Sequence, residues 1–198
     1  SDMHLAKDGM LGMSLKLAGF YQKIKDFQTQ GKCNWIRQNQ KDLWEKTHKY
    51  LQVSGFLNYK LTGRFKDSTA SQIGHLPFDY KKQQWAGRYH PASLFFPVEK
   101  EKLPHLITPG SVLGEITETA AGLTGLKKGI PVIACGSDKG CETLGAGVVS
   151  PGMASLSFGT TATVQTLSDR YIEPIRFMPS YPAPVPGRYN PEIEIFRG

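Results

Sequence analysis

Between residues 14 and 28 the apolar side chains Leu17, Phe20, Tyr21, Ile24 and Phe27 recur every three or four positions. That spacing puts them on one face of a helix. The polar run Gln28-Thr29-Gln30-Gly31 interrupts it, and a second amphipathic helix is expected from Lys32, carrying Trp35, Ile36, Leu43 and Trp44 with a break near Lys41-Asp42. Both tryptophans read as packing residues. A third stripe, Tyr50, Leu51, Phe56, Leu57 and Leu61, predicts a helix over 48–62, which Gly63 ends in the manner of a C-cap. The stretch 67–97 is polar and turn-rich, punctuated by Pro77, Pro91 and Pro97, with a short helix expected at 80–88 around Trp85.

From Val112 the pattern sharpens. Gly114-Glu115-Ile116 reads as a short strand and Thr117–Leu126 as a helix, with Thr117 supplying the N-cap oxygen and Gly125 near its end. Residues 130–136, Ile-Pro-Val-Ile-Ala-Cys-Gly, form a nearly continuous apolar run bounded by glycines, the signature of a buried central strand. A small-residue helix follows. Two β-rich runs, Met153–Phe158 and Ala162–Leu167, flank Gly159-Thr160-Thr161 and predict a hairpin. The proline-rich tail from Arg176 to Pro191 reads as an ordered loop of polyproline character, and Glu192–Phe196 as a last strand. No internal repeat occurs.

Composition narrows the class. The 198 residues are 39% hydrophobic and 21% charged, an ordinary soluble globular profile with no run long enough to span a membrane and no signal-peptide layout. The chain starts at Ser1 rather than Met, which reads as either an expression scar or an excised fragment. The net charge of +7 raises the question of a nucleic-acid partner. The cations are dispersed, however, with Asp26, Asp42 and Glu45 between them, as on solvated helix faces. No nucleic-acid-binding signature accompanies them, and no such partner is expected. Three cysteines without a CxxC pair fit neither a zinc site nor a disulfide framework, so they read as reduced and mostly buried thiols.

Two places could carry chemistry. In Gly136-Ser137-Asp138-Lys139-Gly140 a carboxylate stands at the C-terminal tip of a strand, where open α/β sheets bind ligands. The same Asp138 could instead cap the helix that follows. Lys139 could hydrogen-bond a ligand or be a solvated lysine at a helix start. In Ser157-Phe158-Gly159-Thr160-Thr161, glycine and hydroxyls could present donors to a phosphate, or merely form a hairpin tip.

Taken together, three segments resemble the FGGY carbohydrate kinases. Phe27-Gln28-Thr29-Gln30-Gly31-Lys32-Cys33-Asn34-Trp35-Ile36-Arg37-Gln38-Asn39 is similar to the family's Lys–Trp–aliphatic motif, with Cys33 in place of a large apolar residue, and Leu61-Thr62-Gly63 to its Leu-Thr-Gly segment. Gly129–Val132 through Gly136–Gly140 resembles the strand and loop bearing the catalytic aspartate, with Lys139 where relatives have Gln or Asn. Ser157–Thr161 resembles the Gly-Thr phosphate loop.

The resemblance implies an α/β fold: an incomplete ribonuclease H-like (actin-like ATPase) lobe with a mixed sheet and flanking helices. It makes residues 1–198 part of the N-terminal sugar-binding domain. The early phosphate-binding strand-turn and the nucleotide-binding domain are not found in the sequence. The implied activity is transfer of the γ-phosphate of ATP to a hydroxyl of a sugar or polyol, xylulose-like, with ATP and Mg²⁺ as cofactors. Asp138 is then the catalytic base, Asp138 and Lys139 bind substrate, and Gly159, Thr160 and Thr161 bind phosphate. No protein-bound metal site is expected. The full-length enzyme would be cytoplasmic and compatible with a homodimer, and the isolated chain would have negligible kinase activity. The alternative is a non-catalytic sugar- or protein-binding module on the same lobe.

Overall fold

The structure is a computed structural model and describes residues 21–159, 161–175 and 178–195, with side chains from residue 25 onward. Its helices are α1 (Tyr21–Gln30), α2 (Lys32–Asn39), α3 (Lys41–Lys46), α4 (Val53–Thr62), α5 (Pro91–Phe95), α6 (Glu118–Thr124) and α7 (Asp138–Gly145). Its strands are β1 (Lys66–Ser68), β2 (Phe78–Asp79), β3 (Gln84–Trp85), β4 (His105–Ile107), β5 (Val112–Glu115), β6 (Pro131–Ile133), β7 (Ala154–Phe158), β8 (Ala162–Thr166), β9 (Tyr181–Pro182), β10 (Tyr189–Asn190) and β11 (Glu192–Ile195). The chain divides into two compact units. One holds the residues up to Tyr50 with Gly74–Asp79 and Trp85–Leu103, and the other holds Leu51–Ile73, Tyr80–Gln84 and everything from Pro104.

The first unit packs around Cys33, Trp44 and Phe96, with Ile36, Tyr50, Phe95 and Val98 against them. Gly31 separates α1 from α2 because nothing larger fits there. A Cβ on it would lie 2.9 Å from Phe96 Cε1. The buried Asn34 amide donates to the carbonyls of Gln28 (3.0 Å) and Phe95 (2.9 Å), fixing the helix pair to the end of α5. The expected break falls at Gln40. At the end of α3, Lys102 Nζ donates to the carbonyls of Trp44 (3.0 Å) and Thr47 (2.6 Å), which satisfies acceptors a helix end leaves open. Of the two tryptophans only Trp44 is a packing residue. Trp35 is 52% exposed, because the buried face of α2 carries Cys33 and Asn34 instead. Leu17 and Phe20, expected on the first helical stripe, lie outside the described residues.

The helix expected at 80–88 is absent. Gln84–Trp85 is extended, and the helix of this region is α5, which starts where Pro91 supplies a prefixed φ at N1 and His90 accepts the Ala92 N–H. The helix expected from residue 48 begins at Val53 and ends on Gly63, which takes the left-handed conformation at φ 67°.

In the second unit α4 lies along β1, which pairs in parallel with β4. α4 also comes close to β5: a Cβ on Gly114 would sit 2.9 Å from Thr62 Cβ. β5 pairs antiparallel with β6, and α6 runs between them in the chain, capped by Thr117 at one end and left-handed Gly125 at the other. The run 130–136 is not a buried central strand. Only Pro131–Ile133 is extended, and its partner among the described residues is β5; Ile130 and Ile133 are 41% and 43% exposed. A strand is buried on both faces when helices cover both, and a two-stranded antiparallel pair does not provide that. β7, β8 and β11 form an antiparallel sheet with β8 in the centre. The proline-rich tail is more regular than expected, since Tyr181–Pro182 and Tyr189–Asn190 pair as strands. Ala183, with Val148 and Leu167, forms a second small core against which Val185 packs.

Two of the three cysteines are not buried. Cys33 is, and burial pushes its thiol up to about 11, whereas Cys135 and Cys141 are exposed.

Candidate functional site

The segment 135–140 is held in place by backbone and hydroxyl contacts that reach it from β1 and the turn beyond. Ser68 Oγ donates to the Cys135 carbonyl, and the Ser137 N–H donates to the Ala70 carbonyl at 2.9 Å. Ser68 owes its position to Asp67 beside it. That carboxylate is 1% exposed and accepts from Ser54 Oγ (2.8 Å), Asn58 Nδ2 (3.0 Å), Gln72 Nε2 (2.8 Å) and the Ser68 N–H (2.8 Å). Burial raises its pKa against the lowering effect of these four donors. From the other side, Pro184 closes on the glycines that flank the loop. A Cβ on Gly136 or Gly140 would lie 3.1 Å from its ring.

α7 starts at Asp138, and its N-cap is Ser137, whose Oγ accepts the Gly140 N–H at 3.0 Å. The capping role left open for Asp138 in the sequence is therefore filled by its neighbour. Asp138 is exposed in the first turn, with Oδ1 accepting the Lys139 N–H at 2.7 Å. Lys139 Nζ donates to Glu142 at 2.9 Å. This contact raises the Lys139 pKa and lowers that of Glu142.

The same helix is tied to the β7–β8–β11 sheet. Thr143, whose hydroxyl also lies 2.8 Å from the Lys139 carbonyl, bonds Gln165 Oε1 on β8, and Gln165 stands opposite Glu192 in the strand register. β8 is the strand that leaves the Gly-Thr turn, so the Asp138 helix is joined to that hairpin. Thr160 lies outside the described residues. The Gly159 N–H already donates to the Thr161 carbonyl at 3.0 Å. The Gly159 amide is therefore already engaged within the turn. Sequence reasoning missed Asp67, Ser68, Thr143 and Gln165. Apart from the Ser68 N–H on Asp67 and the Ala70 N–H on Ser68 Oγ, their partners lie from 4 to 67 residues away, with no local motif to mark them.

Among the described residues no group of three or more His, Cys, Asp or Glu could hold a metal ion. Among them also, no helix is long and apolar enough to cross a membrane.

Residues 14–145 match the FGGY family of carbohydrate kinases, N-terminal domain. The chain belongs to that family. It is 40% identical over 109 residues to the uncharacterized sugar kinase YgcE of Escherichia coli, covering 54% of this chain and 22% of that protein. It is 29% identical over 145 residues to the xylulose kinase of Haemophilus influenzae, covering 72% and 29%. Among solved structures, the gluconate kinase from Lactobacillus acidophilus superposes with a TM-score of 0.74 at 20% identity, covering 98% of this chain and 40% of that one. The chain thus spans less than half the length of each of these proteins, and its fold is a partial lobe of the actin-like ATPase type. The mixed pairing expected of that lobe is present as small sheets, the parallel β1–β4 and several antiparallel ones.

Proposed function

We propose that this chain is the substrate-side part of an ATP-dependent sugar or polyol kinase, with a pentulose such as xylulose as the first substrate to test. The observation that carries the reading is the exposed Asp138 carboxylate on a helix bonded through Thr143 and Gln165 to the hairpin that holds the Gly-Thr turn. In this reading a substrate hydroxyl gives its proton to Asp138 as its oxygen attacks the γ-phosphorus. The new O–P bond forms while the bond from phosphorus to the β–γ bridging oxygen breaks, and ADP leaves. A positioned base contributes on the order of 10²–10⁴ in rate. The remainder comes from alignment and charge neutralisation around the phosphoryl group. Thr161, with Gly159 shaping the turn and Thr160 beside it, faces the transferred phosphoryl.

Lys139 bonds substrate while its charge is balanced by Glu142, so it serves as a directional donor more than as a free cation. Mg²⁺, bound with the nucleotide, would neutralise phosphate charge; kinases hold it by one or two carboxylates and the phosphates themselves. The described residues do not form a dedicated cage for it, and none of the steps above runs through it. The proposal takes residues 1–198 as belonging to the sugar-binding side of a longer, cytoplasmic enzyme, and expects no kinase turnover from the chain alone. The test is Asp138→Asn in the complete kinase, assayed for ADP release against pentuloses, polyols and aldonates. Turnover should be lost with sugar binding retained; undiminished turnover removes Asp138 from the role of base.

A further inference from the structure

The β7–β8–β11 sheet has one polar face and one apolar face. In register across the three strands, Ser155, Gln165 and Glu192 form one row, and Ser157, Thr163 and Glu194 the next. This polar face is the one that meets α7. Thr163 and Gln165 are 4% and 5% exposed and Thr143 on the helix is 1% exposed, while Leu156, Phe158, Val164, Ile193 and Ile195 on the other face are all at least 40% exposed. A helix seated on a sheet through apolar side chains can slide or rotate with little penalty, because such contacts have no direction. A buried hydrogen-bonded seat has one geometry, and an unmet donor or acceptor in it is costly.

Gln165 is the centre of that seat. It stands on the central strand and accepts from Thr143 on α7, with Glu192 opposite it on β11. The helix is thereby fixed to the central strand. Thr143 lies four residues after Lys139 and two before Gly145, which ends α7. The hairpin it is fixed to ends in the Gly159–Thr161 turn.

We infer that Gln165, acting through Thr143, is a positioning residue that sets where Asp138 stands relative to the phosphate-facing turn. The inference rests on the kinase reading above. In-line transfer needs the attacking oxygen within roughly 3–3.5 Å of its target, and a misplacement of about 1 Å can cost on the order of 10²-fold in rate. Glu192 feels Glu194, Lys139 and Asp138, with burial the largest effect on it and its pKa raised as a result. Tyr181 is pushed up by burial and by the two glutamates. A neutral amide at position 165 accepts from Thr143 and leaves Glu192, its register partner, unopposed. An ionised carboxylate there would face Glu192 directly, and a protonated one would not.

The experiment uses the complete kinase, with kcat, both KM values and Tm measured for each variant. Gln165→Leu and Thr143→Val should lower kcat about 10–100-fold while both KM values stay within about threefold, the pattern of a lost transition-state alignment. Thr143→Ser keeps the hydroxyl and should restore kcat. Gln165→Glu should recover activity relative to the parent as pH falls, when its carboxyl carries the proton the seat requires. A folded Gln165→Leu with kcat within about twofold of the parent overturns the inference. If that variant does not fold, the contrast between Thr143→Val and Thr143→Ser decides instead, and equal kcat for the two overturns it. Asp138→Asn is run alongside. Should it abolish turnover while the seat variants behave as the parent, this inference alone fails. Should it leave turnover intact, the reading of Asp138 as base is what fails.

Discussion

Removing the Asp67 carboxylate should loosen α4 by an amount that can be worked from its partners. Asp67→Ala leaves the Asn58 amide and the buried Ser68 N–H without the acceptor they use now. Gln72 Nε2 retains its second bond, to the Ser68 carbonyl at 3.0 Å, and the Ser54 hydroxyl can turn to another partner. Two orphaned donors at about 1–3 kcal/mol each are partly offset by removing a carboxylate whose burial is itself unfavourable, giving a net loss of about 2–4 kcal/mol. At about 1.4 kcal/mol per factor of ten, protection of the Val53–Thr62 amides against hydrogen exchange should fall by roughly 30- to 1,000-fold. Amides of α2 in the other unit serve as the internal reference. A fall of less than about threefold in α4 would show that the four hydrogen bonds are not what holds this helix to β1.

The same carboxylate sets a pH dependence. Its folded pKa is raised above the ordinary 3.8 by burial, so ionised Asp67 opposes folding above the raised value and that opposition fades as pH falls toward 3.8. The parent's α4 protection should therefore improve relative to Asp67→Asn, which cannot titrate, on acidification through that window; a flat or opposite difference contradicts the burial argument. In the first unit, Gly31→Ala drives a methyl to 2.9 Å from Phe96 Cε1 and 3.1 Å from Asn34 Nδ2, and should lower stability by about 1–3 kcal/mol, read as lost exchange protection in α2. Thiol labelling followed by mass spectrometry should modify exposed Cys135 and Cys141 at pH 8 and spare Cys33, whose pKa is about 11. Comparable labelling of Cys33 would mean that this core opens readily.

Local signals in the sequence were legible where a single residue type forces a local geometry. Gly63 and Gly125 do take left-handed conformations at helix ends, and Thr117 does cap α6. The hairpin around Gly159 lies within a residue of its expected bounds. Trp85 shows the limit. A short helix is expected around it, yet the chain there is extended. The run 130–136 is apolar enough for a buried strand, but burial depends on what lies alongside, and the strand's partner here is a single antiparallel neighbour.

The site divides along the same line. Ser137-Asp138-Lys139 announced a helix start and a carboxylate, and left undecided whether Asp138 caps the helix or meets a ligand. The Ser137 Oγ contact with Gly140 gives the cap to the serine and leaves Asp138 exposed. Asp67 gave no sign of itself, since Lys66-Asp67-Ser68 reads as one more polar stretch and its donors come from positions 54, 58 and 72. Alternation along 154–166 establishes that the two faces of the hairpin differ. It does not say which face meets α7, and a hydrophobicity argument would choose the apolar one. The choice is made by Gln165 finding Thr143 across the interface. That pairing is specific in a way that leucine against leucine is not, and specificity of placement is what the proposed role of Asp138 as base requires of its helix.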